Sequence, residues 1–138
     1  MLVLDALKGA LPVLLALQWL PGEPRAHVAV GLAAFLGHCF PVWLKLRGGK
    51  GVATALGVLL VLVPWAALAG AAVYAVVVKV ARMSSLGSLS AGVAAVVTAA
   101  FTAAFREYAL LSGLLFVFML WTHRENISRL IRRTERRF

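Results

Sequence analysis

Gly48-Gly49-Lys50-Gly51-Val52-Ala53-Thr54, together with the apolar run that follows it to Val63 and the Pro64 that interrupts it, decides how this chain folds. Paired glycines relax the backbone, and a proline removes a helical hydrogen-bond donor, so the run 51–63 is bounded on both sides. If 51–82 were one bent helix it would extend about 48 Å at ~1.5 Å per residue, longer than a hydrocarbon core of ~30 Å. Two helices, 51–63 and 65–82, are therefore expected. Working outward, apolar blocks 3–20 and 26–46 precede the glycine turn, and 86–105 and 107–122 follow it, with Pro21-Gly22-Glu23-Pro24 separating the first two. Each approaches the ~20 residues that a spanning helix needs. The expected fold is all-α, a polytopic integral membrane helix bundle of about six transmembrane helices, with 1–138 forming a single membrane domain. The first block carries Asp5 and Lys8 and lacks the short basic leader of a signal peptide, so it is expected to be a retained span.

Composition agrees with that pattern. The chain is 62% hydrophobic and 14% charged, with a mean hydropathy of +0.93, more apolar than one small soluble core can bury. Its formal charge is +9 with only 5 acidic residues, which suits an anionic substrate or an anionic lipid leaflet. With six spans, Lys8, Lys45, Arg47, Lys50, Lys79, Arg82 and the tail arginines 124, 129, 132, 133, 136 and 137 share one side, and Arg25 and Arg106 take the other. The positive-inside rule then puts the glycine turn, the loop at 80–86 and the tail in the cytoplasm. The single Cys39 excludes an internal disulfide, and the scattered His27, His38 and His123 give no metal-ligand spacing, so no metal site is expected. Basic residues at membrane edges, without an extended basic and aromatic surface, argue against nucleic acid as a partner.

Three segments carry chemistry. The glycine turn opens a helix, whose first amides and positive dipole end suit an anion, and Lys50 adds a full charge. It is not a Walker A loop, because Leu44 stands where the first glycine belongs and Gly51 where Ser or Thr would hold magnesium. The block 51–63 is only about 20 Å long, so its start is expected below the membrane surface, with a thinned bilayer or a shifted helix boundary as the alternative. A hairpin with a snorkelling lysine is the plainer alternative. In the tail, His123, Asn126 and Arg129 recur every three residues and share a slowly drifting helix face. Histidine suits proton removal from an alcohol, Asn126 orientation and Arg129 phosphate pairing; a basic topology anchor is the alternative. In Arg82-Met83-Ser84-Ser85-Leu86-Gly87-Ser88, Ser84 or Ser85 is expected to cap the next helix, with phosphate binding as an addition. Ser88-Leu89-Ser90-Ala91-Gly92 lacks the first glycine of a nucleophile elbow, which excludes a serine hydrolase. His38, ahead of Phe40-Pro41, is suited to holding a helix end.

Two strings, Gly37-His38-Cys39-Phe40-Pro41-Val42-Trp43-Leu44-Lys45-Leu46-Arg47-Gly48-Gly49-Lys50-Gly51-Val52-Ala53-Thr54 and His123-Arg124-Glu125-Asn126-Ile127-Ser128-Arg129-Leu130, resemble signature motifs of the bacterial acyl-phosphate-dependent glycerol-3-phosphate acyltransferase family. Leu4-Asp5-Ala6-Leu7-Lys8-Gly9 and Ser85-Leu86-Gly87-Ser88 also resemble family sequence. The resemblance implies a multi-pass enzyme of the bacterial cytoplasmic (inner) membrane, with its active site facing the cytoplasm. It would transfer a fatty acyl group from acyl phosphate to the 1-hydroxyl of glycerol 3-phosphate, without cofactor or metal. Gly48, Gly49, Lys50 and Gly51 would cradle phosphate with His38 in support and Ser85 as a further ligand. His123 and Asn126 would activate or orient the hydroxyl, and Arg129 and Glu135 would take secondary roles. Expected partners are acyl phosphate, glycerol 3-phosphate and membrane lipids, with the chain monomeric.

The family has about seven spans, and this chain is expected to lack the first one and the Gly- and Asn-containing motif after it. Arg133 also replaces the glycine that normally precedes Thr134-Glu135. The alternatives from other classes are a non-catalytic or transport-type membrane protein binding anionic phosphate metabolites, which a basic cavity between helices would serve, and a structural membrane subunit. The general glycerolipid acyltransferases with Asp five positions after His are excluded, since those positions hold Leu32, Trp43 and Ser128.

Overall fold

The computed structural model describes residues 1–42 and 48–138, so Trp43, Leu44, Lys45, Leu46 and Arg47 of the long motif lie outside the described residues. Its helices are α1 (Leu2–Trp19), α2 (Pro24–Cys39), α3 (Val52–Leu62), α4 (Pro64–Ala81), α5 (Ser84–Thr102), α6 (Arg106–Thr122) and α7 (Arg124–Ile131). The six apolar blocks correspond to α1–α6, and the short α7 follows. Three of them, α1, α4 and α5, are 18 or 19 residues long and apolar enough to cross a membrane; α2, α3 and α6 have 16, 11 and 17 residues. Pro64 does divide the run 51–82: Val63 leaves the helical region and Pro64 opens α4, where its missing N–H costs nothing. The second block, expected to reach residue 46, stops at Cys39, because Phe40 precedes Pro41 and a residue before proline is driven out of the α region. The fifth stops at Thr102 rather than 105, with Ala103 and Phe105 extended to reverse the chain into α6.

Small residues set the spacing of the bundle. α1 and α3 run side by side where a Cβ on Gly57 would strike the Ala6 carbonyl and one on Gly9 the Thr54 carbonyl. Antiparallel α4 and α5 meet at Gly70, opposite Ala91 and Ala95, and at Gly87, beneath Tyr74 and Val78. Val13, Phe35, Val58, Leu111 and Leu115 are buried where α1, α2, α3 and α6 meet. The outer surface is the reverse of a soluble protein's: Trp65, Val76, Val80, Val97, Phe101, Leu110 and Val117 are exposed, as expected of side chains that face lipid.

Polar contacts concentrate at the two ends. At one end His27 is bonded to the Tyr108 hydroxyl (2.6 Å) and the Leu20 carbonyl (2.7 Å), tying together α2, α6 and the end of α1. At the other end, the start of α3, the α4–α5 turn and the tail converge. The Phe138 amide bonds the Arg82 carbonyl at 2.8 Å, and the Thr122 hydroxyl donates to the Lys50 carbonyl at 2.9 Å.

Candidate active site

The glycine turn is shaped first by what lies under it. The Gly48 amide bonds the Cys39 carbonyl at 3.1 Å, and a Cβ on Gly48 would enter the carbonyls of His38 and Cys39. One on Gly49 would strike the His38 imidazole. Gly51 has φ +86°, in the left-handed region, and its Cα rests against the Phe35 ring and the Cys39 sulfur. The turn is thus pressed onto the end of α2, with His38 as its brace. Behind His38, Asp5 Oδ1 lies 3.8 Å from the His38 Nδ1 and 3.2 Å from the Lys8 ammonium. The Asp5 carbonyl accepts the Thr54 hydroxyl at 3.0 Å.

Lys50 leaves this turn and donates to the side-chain carbonyl of Asn126. The Asn126 amide in turn donates to Glu135 Oε2 at 2.9 Å. Glu135 Oε1 accepts from Arg129 Nε at 3.3 Å and from the Arg136 amide at 3.0 Å. Burial alone would push the Glu135 carboxyl up, but the Arg136 amide, Asn126, Ser85 and Arg129 together hold it down at about 2. Glu135 is therefore a fixed anion whose side chain is only 5% exposed. It orients Asn126, and through it Lys50. Asn126 can serve both neighbours because its amide carries an acceptor and two donors.

His123 lies just past α6, at the start of α7. Its Nδ1 is 2.9 Å from the Met119 carbonyl; a carbonyl only accepts, so Nδ1 carries the proton and Nε2 keeps its lone pair. Burial lowers the His123 pKa, and the nearby Lys50 charge lowers it further, against the opposing Met119 bond and Glu135 charge. A neutral imidazole beside a lysine is suited to accept a proton.

Ser85 does not cap α5, contrary to expectation: Met83 holds the cap position, and no side chain makes a capping bond there. Ser84 is bonded to the Tyr74 hydroxyl at 2.9 Å. The Ser85 hydroxyl lies near enough to Glu135 to favour its charged form, yet among the described residues it meets no hydrogen-bond partner. An unpartnered hydroxyl on a residue 8% exposed has a hydrogen bond left to make.

Lys50, Ser85, His123, Asn126 and Glu135 all line one cavity of about 630 Å³. Val52 and Ala53 line it too, and their amides precede the first intrahelical donor of α3, the Ala55 amide on the Gly51 carbonyl. From this charged end the cavity continues between α3, α4, α5 and α6 as an apolar arm past Leu56, Gly70, Ala91, Phe116 and Met119. His38, Gly48, Gly49 and Gly51 stand behind the site rather than on its wall. Arg129 reaches it through Glu135. Asp5, Thr54, Tyr74, Met119 and Thr122 were not singled out individually from sequence. Asp5 and Thr54 lie inside the recognised strings, whereas nothing local marks Tyr74, Met119 or Thr122.

The family model described as glycerol-3-phosphate acyltransferase matches residues 1–133. A glycerol-3-phosphate acyltransferase of Myxococcus xanthus (strain DK1622) is 72% identical over 137 residues, covering 99% of this chain and 71% of the relative. One from Anaeromyxobacter sp. (strain Fw109-5) is 52% identical, covering 99% of this chain and 69% of the relative. Among solved structures, that of PlsY, an integral membrane glycerol 3-phosphate acyltransferase, in its glycerol 3-phosphate form superposes with a TM-score of 0.94 at 34% identity. It covers 99% of this chain and 68% of that one. The helix bundle with its lipid-facing outer surface, the match along nearly the whole length and the agreement in backbone lead to one conclusion: the chain belongs to the glycerol-3-phosphate acyltransferase family of integral membrane proteins.

Proposed function

We propose that this chain transfers a fatty acyl group from acyl phosphate to the 1-hydroxyl of glycerol 3-phosphate, giving lysophosphatidic acid and inorganic phosphate. The observation that carries it is the joining, in one cavity, of a charged end built from Lys50, Ser85, His123 and Asn126 to an apolar arm between α3 and α6. An amphiphile with a phosphate at its reactive end has that shape and polarity. The relatives' names supply the acceptor. The basic ends fit a site on the cytoplasmic side of the bacterial inner membrane, and a monomer suffices because every proposed group comes from one chain.

Acyl phosphate is a mixed anhydride already activated for transfer, so alignment, charge stabilisation and the handling of one proton complete the chemistry. Lys50, the first amides of α3 and the Ser85 hydroxyl hold the phosphoryl group. As the glycerol oxygen attacks the acyl carbon, its proton passes to Nε2 of His123. The ester C–O bond forms, the acyl–phosphate C–O bond breaks with its electron pair going to phosphate, and the imidazolium returns its proton to the departing phosphate. Asn126 keeps Lys50 at this end. Glu135 and Arg129 fix Asn126, and His38 and Gly49 fix the turn.

The test is reconstitution of the chain in lipid with glycerol 3-phosphate and either acyl phosphate or an acyl thioester. Lysophosphatidic acid formed with acyl phosphate, one phosphate per ester, and none with the thioester is the expected result. Thioester use alone would overturn the donor assignment. Passage of glycerol 3-phosphate across the bilayer without ester formation would favour a transport role instead.

A further inference from the structure

The apolar arm has a floor. Leu59 of α3, Ala66 of α4, Ala95 of α5 and Ser112 of α6 are the lining residues farthest from Lys50 along their helices. The next layer, Val63, Ala99 and Leu111, is buried at 1% exposure or less and does not line the cavity. Ser112 brings no free donor to the floor, because its hydroxyl donates to the Ala109 carbonyl at 2.6 Å. Above the floor the wall between α4 and α5 is made of Ala67, Gly70, Ala91 and Gly92, residues too small to block the arm.

Resting on the acyl-phosphate assignment above, we infer that this floor measures the acyl chain. From His123 to Ser112 along α6, and from Ser85 to Ala95 along α5, the arm is about 15–17 Å deep at ~1.5 Å per residue. An extended chain advances about 1.2 Å per bond, so a saturated tail of about 12–14 carbons reaches the floor when its carbonyl lies beside His123. Up to that length each methylene leaves water for the arm and raises kcat/KM by up to about fourfold. Beyond it, further carbons no longer lie in the arm and the gain stops. Ala95 and Leu59 are specificity-determining residues of opposite sense: a larger side chain at Ala95 raises the floor, and a smaller one at Leu59 lowers it.

The experiment is a kcat/KM series over acyl phosphates of even length from C8 to C18, for the wild-type chain, Ala95→Leu and Leu59→Ala. Because the ratio between lengths is read, a general loss of activity cancels. Wild type is expected to climb and then break at about C12–C14. The three added carbons of Ala95→Leu move the break about two carbons shorter, and Leu59→Ala moves it about two carbons longer. Should Ala95→Leu fail to fold beside Gly70, the shift in Leu59→Ala decides alone. A wild-type slope that continues to C18, or a break that stays fixed in the folded variants, overturns the ruler and leaves the donor assignment intact. No transfer at any length by wild type overturns the donor assignment, and the ruler with it.

Discussion

Asn126→Ala removes one side chain from the middle of the charged end. Asn126 is 6% exposed, accepts from Lys50 and donates to Glu135 at 2.9 Å. Its loss frees the lysine to turn to solvent, and leaves Glu135 with Arg129 and the Arg136 amide. If Lys50 stabilises charge on the transferring phosphoryl group, losing its placement has the scale of losing one preorganised electrostatic donor, about 100- to 1,000-fold in kcat, or ~2.7–4 kcal/mol. The fold should survive, because the truncation orphans few groups and costs ~1–3 kcal/mol. Asn126→Asp separates the two functions of the amide: it still accepts from Lys50 but sets a second carboxylate beside Glu135, and a like charge that close raises the pH at which one of the pair takes up a proton. The Asp variant should therefore gain activity on mild acidification relative to wild type, whereas the Ala variant should not. Phosphate release from acyl phosphate, followed with glycerol 3-phosphate saturating, reads both. An Ala variant within threefold of wild type would show that Lys50 is not held for catalysis by this path.

His123→Gln should lower kcat by about 100- to 10,000-fold, the range for a lost general base. In the wild-type chain, burial and Lys50 keep the His123 pKa below its ordinary value of 6.5. The base is therefore mainly neutral at pH 7, and activity should fall as pH drops through a value below 6.5; a midpoint above 6.5 in the pH–kcat profile would contradict this. Gly51→Ala meets both a positive φ, costing ~1–2 kcal/mol, and the Phe35 ring, costing ~1–3 kcal/mol more. It should lower the detergent-solubilised Tm and weaken phosphate binding together. Gly57→Ala drives a methyl into the Ala6 backbone and should loosen α1 from α3, read as faster hydrogen exchange along α1.

The sequence carried the helices well because lipid leaves a coarse signal: long apolar blocks, with Pro21, Pro24 and Pro64 marking the breaks. The ends were less legible. Cys39 ends α2 because Pro41 acts two residues ahead, while the hydropathy around it stays high. Lys50, Ser85, His123 and Asn126 were named from local motifs, and their meeting at one cavity follows from six helices of alternating direction. The part played by Glu135 was hidden, because an acidic residue among tail arginines looks like a surface ion pair until the tail folds back and buries it against Asn126. Tyr74 and Thr122 carried no signal. Each acts through a contact with a residue distant in sequence or across a turn, Thr122 with the Lys50 carbonyl and Tyr74 with Ser84, and no spacing rule reports such contacts.

The glycine turn and the tail meet at the same end of the bundle. In a Cys39→Ala background, Lys50→Cys and Asn126→Cys can be tested together with a short thiol-to-thiol cross-linker in sealed, oriented vesicles. Intramolecular bridging by a reagent added to one side, slowed by glycerol 3-phosphate, is the expected result. Labelling of the two positions from opposite sides, or no bridge under conditions where both thiols react, would contradict it.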